Sequence, residues 1–515
     1  MSALFAIAGA LYAFWFGFGY AGVHPNHAGV FLVPVEDRVD APLPMRPRHT
    51  VLVVVDGLRR DAAETMTSTR RIAAAGQCRV SDQGTYTFSR PEYALLSTGL
   101  EVDRNGARSN DCADPMGAES IWQIARQSGL VVAGSGHLDW FDELFAGGFD
   151  RFRLAKSHDE NVFDVAELAD LNLFHPLYID EAAHLHRPAS PEHAAAVARV
   201  DREIGALLDR LDLTRDVVVM TADHGHRDEG GHGGVQPDVR YVLACFGGLG
   251  VARVENDAAT RRPFDGRVTA PALSLLMGLR FPKHMRAGHG EDGLDALWEV
   301  TRFDDAAYVA DRKAAVERFR EINRVALEGH LGGPPGTWSR LEAQEAARVT
   351  PKLYLMAIVL FALFGARVVL LGLDARRVVA MLAWIGFVVL ATYLVHRRLM
   401  GELDFSAINR KEAFLPKSFV TTGLAVLLGA GVHALSSARR GLARYVDDAS
   451  TLVMLLLAAN MGHIFVYGWP LPFPLPSTMI ERYFPLVGSF ALLTSSLATL
   501  SAGLLLARRE RDANR

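Results

Sequence analysis

The chain has 515 residues and a formal net charge of −4, and half of its residues are hydrophobic. Its mean hydropathy of +0.12 is high for a soluble enzyme, and its length allows about two to four domains. The sequence pI of 6.5 gives no sign of the basic surface that nucleic-acid-binding proteins carry. No nucleic-acid partner is therefore expected.

The N-terminal apolar run predicts a transmembrane anchor. Residues 3–23 carry no charge and are long enough to span a bilayer. A cleaved signal peptide is the alternative, but the run lacks a basic n-region and a clean A-x-A cleavage site. Both absences favour a permanent anchor.

Strand-like and helical segments alternate between about Arg48 and Leu331. Continuous Val-rich runs suit strands buried on both faces of a parallel sheet, and they occur at 49–56, 130–136, 216–223 and 240–247. The clearest helix is 191–211, with Ser190 as its expected N-cap and Pro191 as its first residue. The pattern predicts an α/β fold with a mostly parallel sheet flanked by helices.

The C-terminal third predicts an all-α membrane domain of five further transmembrane helices. Apolar runs separated by short charged loops occur at 353–373, 378–395, 419–437, 450–468 and 484–507. Nine arginines lie at alternate ends of these runs, and six basic residues occupy the opposite loops. By the positive-inside rule, the C-terminus is cytoplasmic and the 24–350 region is periplasmic, extracellular or lumenal. The chain is thus predicted to be an integral membrane protein with six spans.

The chain has three cysteines, Cys78, Cys112 and Cys245. An exported location permits a disulfide. Cys78 and Cys112 could pair, whereas Cys245 lies in an apolar strand-like run and is expected to be buried. Three buried thiols are an equally good interpretation, because free cysteine is among the most buried residue types.

Short polar segments stand where hydrophobic strands stop or loops begin, which is the edge of an open α/β sheet where ligands bind. Asp56 ends a strand before a glycine, and the pair Asp223–His224 does the same. Asp180 and His184 are four residues apart, so one helical turn places both on the same face. The candidate metal ligands are Asp56, Ser89, Asp180, His184, Asp223, His224 and His232.

Each group also has a purely structural interpretation. A strand-end aspartate before glycine is usually a turn former, an Asp/His pair one turn apart is often a solvated helix face, and a histidine between glycines can be a loop residue. Their joint occurrence favours a metal-binding role, because carboxylate and imidazole ligands together suit zinc. Seven groups are enough for two sites, so we expect two divalent metal ions, with zinc preferred.

Five motifs carry a resemblance to a known family: VVVDGLRRD, SRPEYALLSTGL, NGARSN, DEAAHLHRP and TADHGHRDEGGHGG. On these motifs the 48–290 region resembles the alkaline phosphatase superfamily, in its type I phosphodiesterase/nucleotide pyrophosphatase branch. It is most similar to the glycosylphosphatidylinositol ethanolamine-phosphate transferases. The membrane part resembles those transferases in layout only, because they carry more spans. The resemblance implies an alkaline phosphatase-like catalytic domain.

The resemblance also implies roles for the matching residues. The first metal would be held by Asp56, Asp223 and His224, with Ser89 bound to it as the nucleophile. The second metal would be held by Asp180, His184 and His232. Asn110, at the end of the third motif, would donate a hydrogen bond to a non-bridging phosphate oxygen.

Several neighbours compete for these roles. Thr85 and Thr87 lie just upstream of Ser89, but only Ser89 stands two residues before a proline, as the family pattern requires. Sulfatases of the same superfamily have an arginine where Tyr93 stands, so sulfatase activity is not expected. His226 is a rival of His232, but its place two residues after His224 makes reach to the second metal harder.

Together these features predict a metal-dependent phosphodiesterase or phosphotransferase. A metal-bound Ser89 would attack phosphorus in line and form a phospho-serine intermediate, which water or an alcohol then resolves. The expected substrate is a phosphate ester with a phospholipid as donor, in a phosphoethanolamine-type transfer. The alternatives are an exported hydrolase of nucleotides or small phosphodiesters and a catalytically inactive envelope scaffold. The predicted parts are an anchor (1–24), a catalytic domain (45–331), a linker (332–351), a membrane domain (352–507) and a tail (508–515).

Overall fold

The chain divides into two units, which are described separately. The α/β unit comprises Pro25–Leu341, and the helical unit comprises Met1–His24 with Glu342–Arg515. The computed structural model describes residues 2–22, 34–84, 87–100, 105, 107, 110, 114–254, 263–285, 294–331, 338–400, 419–429, 431, 442–467 and 480–513. The five domain limits given above remain predictions.

An eight-stranded sheet forms the centre of the α/β unit, with strand order β4-β3-β5-β1-β6-β7-β2-β8. Its strands are β1 (Thr50–Val54), β2 (Gly76–Asp82), β3 (Val132–Gly136), β4 (Arg151–Leu154), β5 (Leu171–His175), β6 (Val217–Thr221), β7 (Tyr241–Gly248) and β8 (Phe264–Asp265). Every pairing is parallel except those of β7, which runs antiparallel to both β6 and β2. The predicted α/β class with a mostly parallel sheet is confirmed.

Helices flank this sheet. They are α2 (Arg60–Thr65), α3 (Thr67–Ala74), α4 (Ser89–Thr98), α5 (Ile121–Gln127), α6 (Trp140–Leu144), α7 (Tyr178–His186), α8 (Pro191–Leu208), α9 (Pro237–Arg240), α10 (Thr269–Met277), α11 (Ala296–Val300) and α12 (Ala306–Leu331). Helix α8 begins as predicted, because Ser190 Oγ accepts a hydrogen bond from the His193 amide and Pro191 is its first residue. Its apolar stripe, including Val200 and Ile204, packs in one core with β1 and β6. Burial of this stripe fixes the helix against the sheet.

A disulfide joins β2 to β7. Cys78 and Cys245 face each other in the antiparallel register of these strands and are bonded. The suggested pairing of Cys78 with Cys112 is wrong, and so is the alternative of three free thiols. The sequence pattern identified the buried strand around Cys245 but not its antiparallel neighbour. Cys112 lies outside the described residues.

We expect the disulfide to be detectable by thiol counting and by stability. Alkylation of the unfolded, unreduced chain should label one thiol, and prior reduction should raise the count to three. Replacing Cys78 and Cys245 by serine should lower the free energy of unfolding by about 2–4 kcal/mol, because the bond closes a long loop of the unfolded chain. Cys112→Ser is the matched control and should leave stability unchanged. Three labelled thiols before reduction would contradict the assignment.

The helical unit contains six described helices: α1 (Ser2–Gly22), α13 (Trp338–Leu370), α14 (Ala375–Met400), α15 (Phe419–Gly429), α16 (Leu442–Tyr467) and α17 (Ile480–Ala513). Four of them, α13, α14, α16 and α17, have segments long and apolar enough to cross a membrane. The apolar segments of the other two, Leu4–Trp15 and Phe419–Gly429, are shorter within the described residues. An integral membrane protein is therefore supported, while the count of six spans stays a prediction.

Helix α1 packs directly on α16 and α17. Ala13 shares a buried cluster with Val453 and Leu492. A Cβ atom at Gly9 would lie 2.6 Å from Ser496 Oγ and 3.0 Å from Val453 Cγ1. The missing side chain therefore allows the close approach that small residues give to packed membrane helices.

Candidate metal centre

The polar groups predicted from the sequence converge at one edge of the sheet. Asp56 follows β1, Asp223 follows β6, and β5 leads into α7, which carries Asp180. Because β1 pairs in parallel with both β5 and β6, the carboxyl ends of all three strands meet there. This is the edge where open α/β sheets bind ligands.

One group of ligand atoms forms around His224. Its Nε2 atom lies 3.3 Å from Asp223 Oδ2, 3.6 Å from Asp56 Oδ1 and 3.3 Å from Ser89 Oγ. All four side chains are nearly or fully buried. The first predicted ligand set is therefore brought together, and Asp56, Asp223 and His224 could hold one ion.

Two carboxylate oxygens of this group accept no hydrogen bond from the protein. Asp223 Oδ1 accepts hydrogen bonds from the Gly57 and His224 amides, but Asp223 Oδ2 and Asp56 Oδ1 accept none. Burial and the nearby Asp56 charge raise the pKa of Asp223 well above its usual value. Two buried carboxylates with bare oxygens are costly without a cation, so the donor set fits a divalent metal.

A second group forms around Asp180 Oδ1. His184 Nε2 lies 3.3 Å from this oxygen, which confirms that the two share one helix face, and His232 Nε2 lies 3.8 Å from it. The Nε2 atoms of His184 and His232 are 3.2 Å apart. Although burial alone would raise the pKa of Asp180, the imidazoles of His184 and His226 hold it well below its usual value. The predicted second set is therefore also assembled.

His226 lies in this second group, contrary to the expectation from its position in sequence. Its Nε2 atom is 2.8 Å from Asp180 Oδ1, and Asp180, His184 and His226 could together hold an ion. The two-residue spacing from His224 was expected to make reach to the second metal harder, yet it brings the imidazole beside Asp180. Gly225 allows the Asp238 carbonyl to pack closely, since a Cβ there would lie 2.1 Å from that oxygen, and the His226 imidazole lies beside Asp180 of α7.

Backbone carbonyls fix the orientation of three histidines. The Nδ1 atoms of His224, His226 and His232 lie 3.1, 2.6 and 2.8 Å from the carbonyl oxygens of Gly225, Gly230 and Thr87, respectively. A neutral imidazole that donates from Nδ1 keeps its lone pair on Nε2. All three Nε2 atoms face the cluster of carboxylates, so the rings are oriented as metal ligands usually are.

Ser89 begins α4 beside the first group. The amide of Arg90 donates to Asn110 Oδ1, and Asn110 Nδ2 lies 3.4 Å from Ser89 Oγ. Asn110 is thus close enough to donate to a phosphate oxygen on Ser89. By contrast, the Thr87 hydroxyl donates to the Gly234 carbonyl and accepts from the Gly233 amide, so its hydrogen bonds stabilise the loop that contains these two glycines. Thr85 lies outside the described residues.

Tyr93 and His175 support Asp56, a role that the sequence did not reveal. The Tyr93 hydroxyl donates to Asp56 Oδ2 at 2.6 Å and lies 2.8 Å from His175 Nε2. All three side chains are buried. Tyr93 therefore orients Asp56 at the position where the resemblance expects arginine in sulfatases. Only its place one turn after Ser89 could have indicated this contact.

His137 supports the start of α7. Its Nδ1 accepts from the Leu177 amide, and its Nε2 lies 3.1 Å from the Glu160 carbonyl oxygen. Burial lowers the pKa of His137 from 6.5 to about 4. The bond from the Leu177 amide needs the neutral ring, since a protonated Nδ1 cannot accept. His137 therefore helps to hold the helix that carries Asp180 and His184.

We expect acidification to weaken the fold through His137. The pKa is lowered in the folded state, so the unfolded state binds more protons between about pH 4 and 6.5. This contribution to stability is present above pH 6.5 and is lost as the pH falls toward 4. Between pH 7 and 5 the loss is about 2 kcal/mol. Thermal unfolding of wild type and His137→Gln should show a smaller pH dependence in the variant, and equal slopes would contradict this role.

A family model matches the part of the chain that carries most of the strand-end ligand groups. Residues 138–238 match the model described as type I phosphodiesterase/nucleotide pyrophosphatase. The matched segment includes Asp180, His184, Asp223, His224 and His232. The predicted resemblance to this branch is confirmed.

The similar curated proteins include GPI ethanolamine phosphate transferases. The chain is similar to GPI ethanolamine phosphate transferase 1 of Yarrowia lipolytica, with 25% identity over 46% of this chain and 32% of the relative. It is also similar to the catalytic subunit of GPI ethanolamine phosphate transferase 3 of Mus musculus, with 25% identity over 47% of this chain and 25% of the relative. The alignments thus span about a third or less of these relatives.

Two solved structures are similar to part of this chain. The alignment with human ectonucleotide pyrophosphatase/phosphodiesterase 5 covers 46% of this chain and 96% of the human chain, with 13% identity and a TM-score of 0.38. The alkaline phosphatase PafA covers 47% of this chain and 98% of its own, with 10% identity and a TM-score of 0.37.

Proposed function

We propose that this chain is a membrane-bound phosphoryl-transfer enzyme that moves a phosphoethanolamine-type group from a phospholipid donor through a covalent intermediate on Ser89. The observation that carries this proposal is the position of Ser89 Oγ, between His224 Nε2 at 3.3 Å and Asn110 Nδ2 at 3.4 Å. The similarity to ethanolamine phosphate transferases supports the choice of head group.

We propose that the two ligand groups hold two divalent ions, most suitably zinc. Asp56, Asp223 and His224 would hold the ion nearest Ser89, and Asp180, His184 and His232 would hold the other. When bound, such ions lower the pKa of a coordinated hydroxyl and stabilise charge on phosphoryl oxygens. The carbonyl-bound histidines present their Nε2 lone pairs for this purpose without reorganisation.

Ser89 supplies the nucleophile. Its Oγ loses a proton to water and attacks phosphorus. The bond from phosphorus to the diacylglycerol oxygen of the donor breaks, that oxygen takes up a proton from water, and a phosphodiester on Ser89 results. Asn110 Nδ2 donates to a non-bridging oxygen, and Tyr93 keeps Asp56 oriented throughout. An acceptor hydroxyl then attacks the same phosphorus, and Ser89 Oγ leaves and regains a proton. A covalent intermediate of this kind predicts ping-pong kinetics.

The location follows from the arginine bias and the disulfide. We propose six spans with the α/β unit on the non-cytoplasmic side, as the positive-inside rule indicates. The Cys78–Cys245 bond supports this side, because disulfides persist in oxidising compartments and are rare in the cytosol. The proposed partners are the membrane and a phosphate-ester substrate, with a phospholipid as donor.

The test uses purified full-length protein in detergent with phosphatidylethanolamine labelled at phosphorus. We expect an acid quench to trap label on the wild-type chain but not on Ser89→Ala, and added glycerol to receive the phosphoethanolamine group. Free phosphoethanolamine as the sole product, or cleavage of nucleotide diesters without lipid turnover, would favour the exported hydrolase. Complete inactivity with a full metal complement would favour the scaffold.

A further inference from the structure

The second ligand group holds one histidine more than an open catalytic site needs. Three protein ligands and one exchangeable position are usual for catalytic zinc, whereas four protein ligands are usual for structural zinc. We propose that His226 is a fourth protein ligand, with Asp180, His184 and His232, which makes this the tighter of the two metal sites. The inference rests on the proposed two-metal function.

The distances between ligand atoms fit a four-ligand site. Zinc–nitrogen and zinc–oxygen bonds of about 2.0–2.1 Å in a tetrahedron separate neighbouring ligand atoms by about 3.3 Å. The observed separations from Asp180 Oδ1 are 2.8 Å to His226, 3.3 Å to His184 and 3.8 Å to His232. The His184–His232 separation is 3.2 Å. These four of the six separations lie within about 0.5 Å of the tetrahedral edge, and a ligand atom of His226 also lies within 4.8 Å of one of His184.

The tautomer of His226 supports ligation. Its Nδ1 is 2.6 Å from the Gly230 carbonyl oxygen, which makes Nδ1 the donor. The Nε2 lone pair of the neutral ring then faces Asp180 Oδ1 at 2.8 Å. Two lone pairs at that separation repel unless a proton or a metal cation lies between them. A metal ion shared with His184 would take that place, so His226 fits the role of a ligand.

The surrounding chain holds the His226 ring in this place. Gly57 has a φ of +69°, and a Cβ there would lie 2.7 Å from His226 Nε2 and 2.8 Å from Asp180 Cα. Any other residue at position 57 would therefore displace the imidazole. Arg59 Nη1 donates to the His226 carbonyl at 3.2 Å and to Asp228 Oδ1 at 2.6 Å. The loop is thus fixed on both sides of the ring.

The two sites should consequently differ in how tightly they hold metal. The site near Ser89 has three permanent ligands, Asp56, Asp223 and His224. Ser89 Oγ is not counted among them, because it bonds to phosphorus during the proposed reaction. The site with His226 has four permanent ligands. With four protein ligands, an ion held there would leave room for a substrate oxygen only as a fifth ligand, a number that catalytic zinc can accept.

The experiment measures metal affinity, not turnover. Full-length wild type, His226→Ala and His226→Gln in detergent are titrated with Zn²⁺ against a chromophoric chelator, and the visible spectrum is recorded with Co²⁺. We expect two ions in the wild type, one held more tightly, and a rise of roughly 100-fold or more in the Kd of the tighter ion in both variants. His186→Ala, at an exposed position of α7, is the matched control and should bind as wild type does.

The outcomes separate the two proposals. Two wild-type ions with unchanged affinities and Co²⁺ spectra in the variants would overturn the role of His226 alone. Fewer than two ions in the wild type would overturn the two-metal function itself. If His226→Ala fails to fold, His226→Gln decides, because its amide can still donate to the Gly230 carbonyl while presenting no imidazole.

Discussion

Ser89→Ala should lose phosphoryl transfer almost completely, by roughly 10⁴-fold or more, because no other group can form the covalent intermediate. The Ser89 side chain is buried, and its loss leaves only a small void in α4. The other six predicted metal ligands remain in place. We therefore expect the variant to keep its fold and its metal, as measured by thermal unfolding and elemental analysis beside initial rates.

Two controls isolate the nucleophile. Ser128→Ala removes a hydroxyl that donates only to the Ile124 carbonyl and should leave turnover unchanged. Thr87→Val removes the clamp on Gly233 and Gly234 and should lower turnover through loop displacement, yet still permit trapping of a covalent intermediate. Substantial activity in Ser89→Ala would move the nucleophile to another hydroxyl, with Thr85 the next candidate.

Asp223→Asn should change stability in opposite directions with and without metal. Without metal, the buried Asp223 carboxylate faces Asp56 and has one oxygen without a hydrogen bond. The amide removes that charge while its oxygen can still accept from Gly57 and His224. In a chelator, we expect the variant to be more stable than wild type by about 1–3 kcal/mol. With zinc, the order should reverse, since wild type gains binding energy that the variant lacks.

Asp216→Asn is the matched control for this reversal in the order of stability. Asp216 is also fully buried, but Arg48 and the His49 and Asp212 amides all bond to its carboxylate. Its neutralisation should destabilise the chain equally in chelator and in zinc. If Asp223→Asn behaved in the same way, Asp223 would be a structural carboxylate and the first metal site would be misassigned.

The α/β fold was predictable because its central strands are buried on both faces. Val-rich runs are diagnostic of such strands, and β1, β3, β6 and β7 were all identified from them. The strand β5 was missed, since LNLFH is short and mixed in composition. The antiparallel direction of β7 was also missed, because hydrophobic pattern carries no information on strand direction.

The candidate ligands were predictable for a related reason. A polar residue directly after a buried strand lies at the carboxyl edge, so parallel strands bring such residues together. Contacts that depend on the path of a loop or the placement of a helix could not be found in this way. The approach of His226 to Asp180, the bond from Tyr93 to Asp56 and the pairing of Cys78 with Cys245 are of this second kind.

The packing of α1 on α16 and α17 has a consequence for biosynthesis. Helix α1 is translated before the α/β unit, whereas its packing partners Val453, Leu492 and Ser496 are translated after it. The whole α/β unit, Pro25–Leu341, is translated in between. At about 5–20 residues per second, that interval is roughly 15 to 60 s. Gly9 and Ala13 thus lack their packing partners while the α/β unit is translated. The helices of the helical unit can pack together only after the α/β unit has had time to fold.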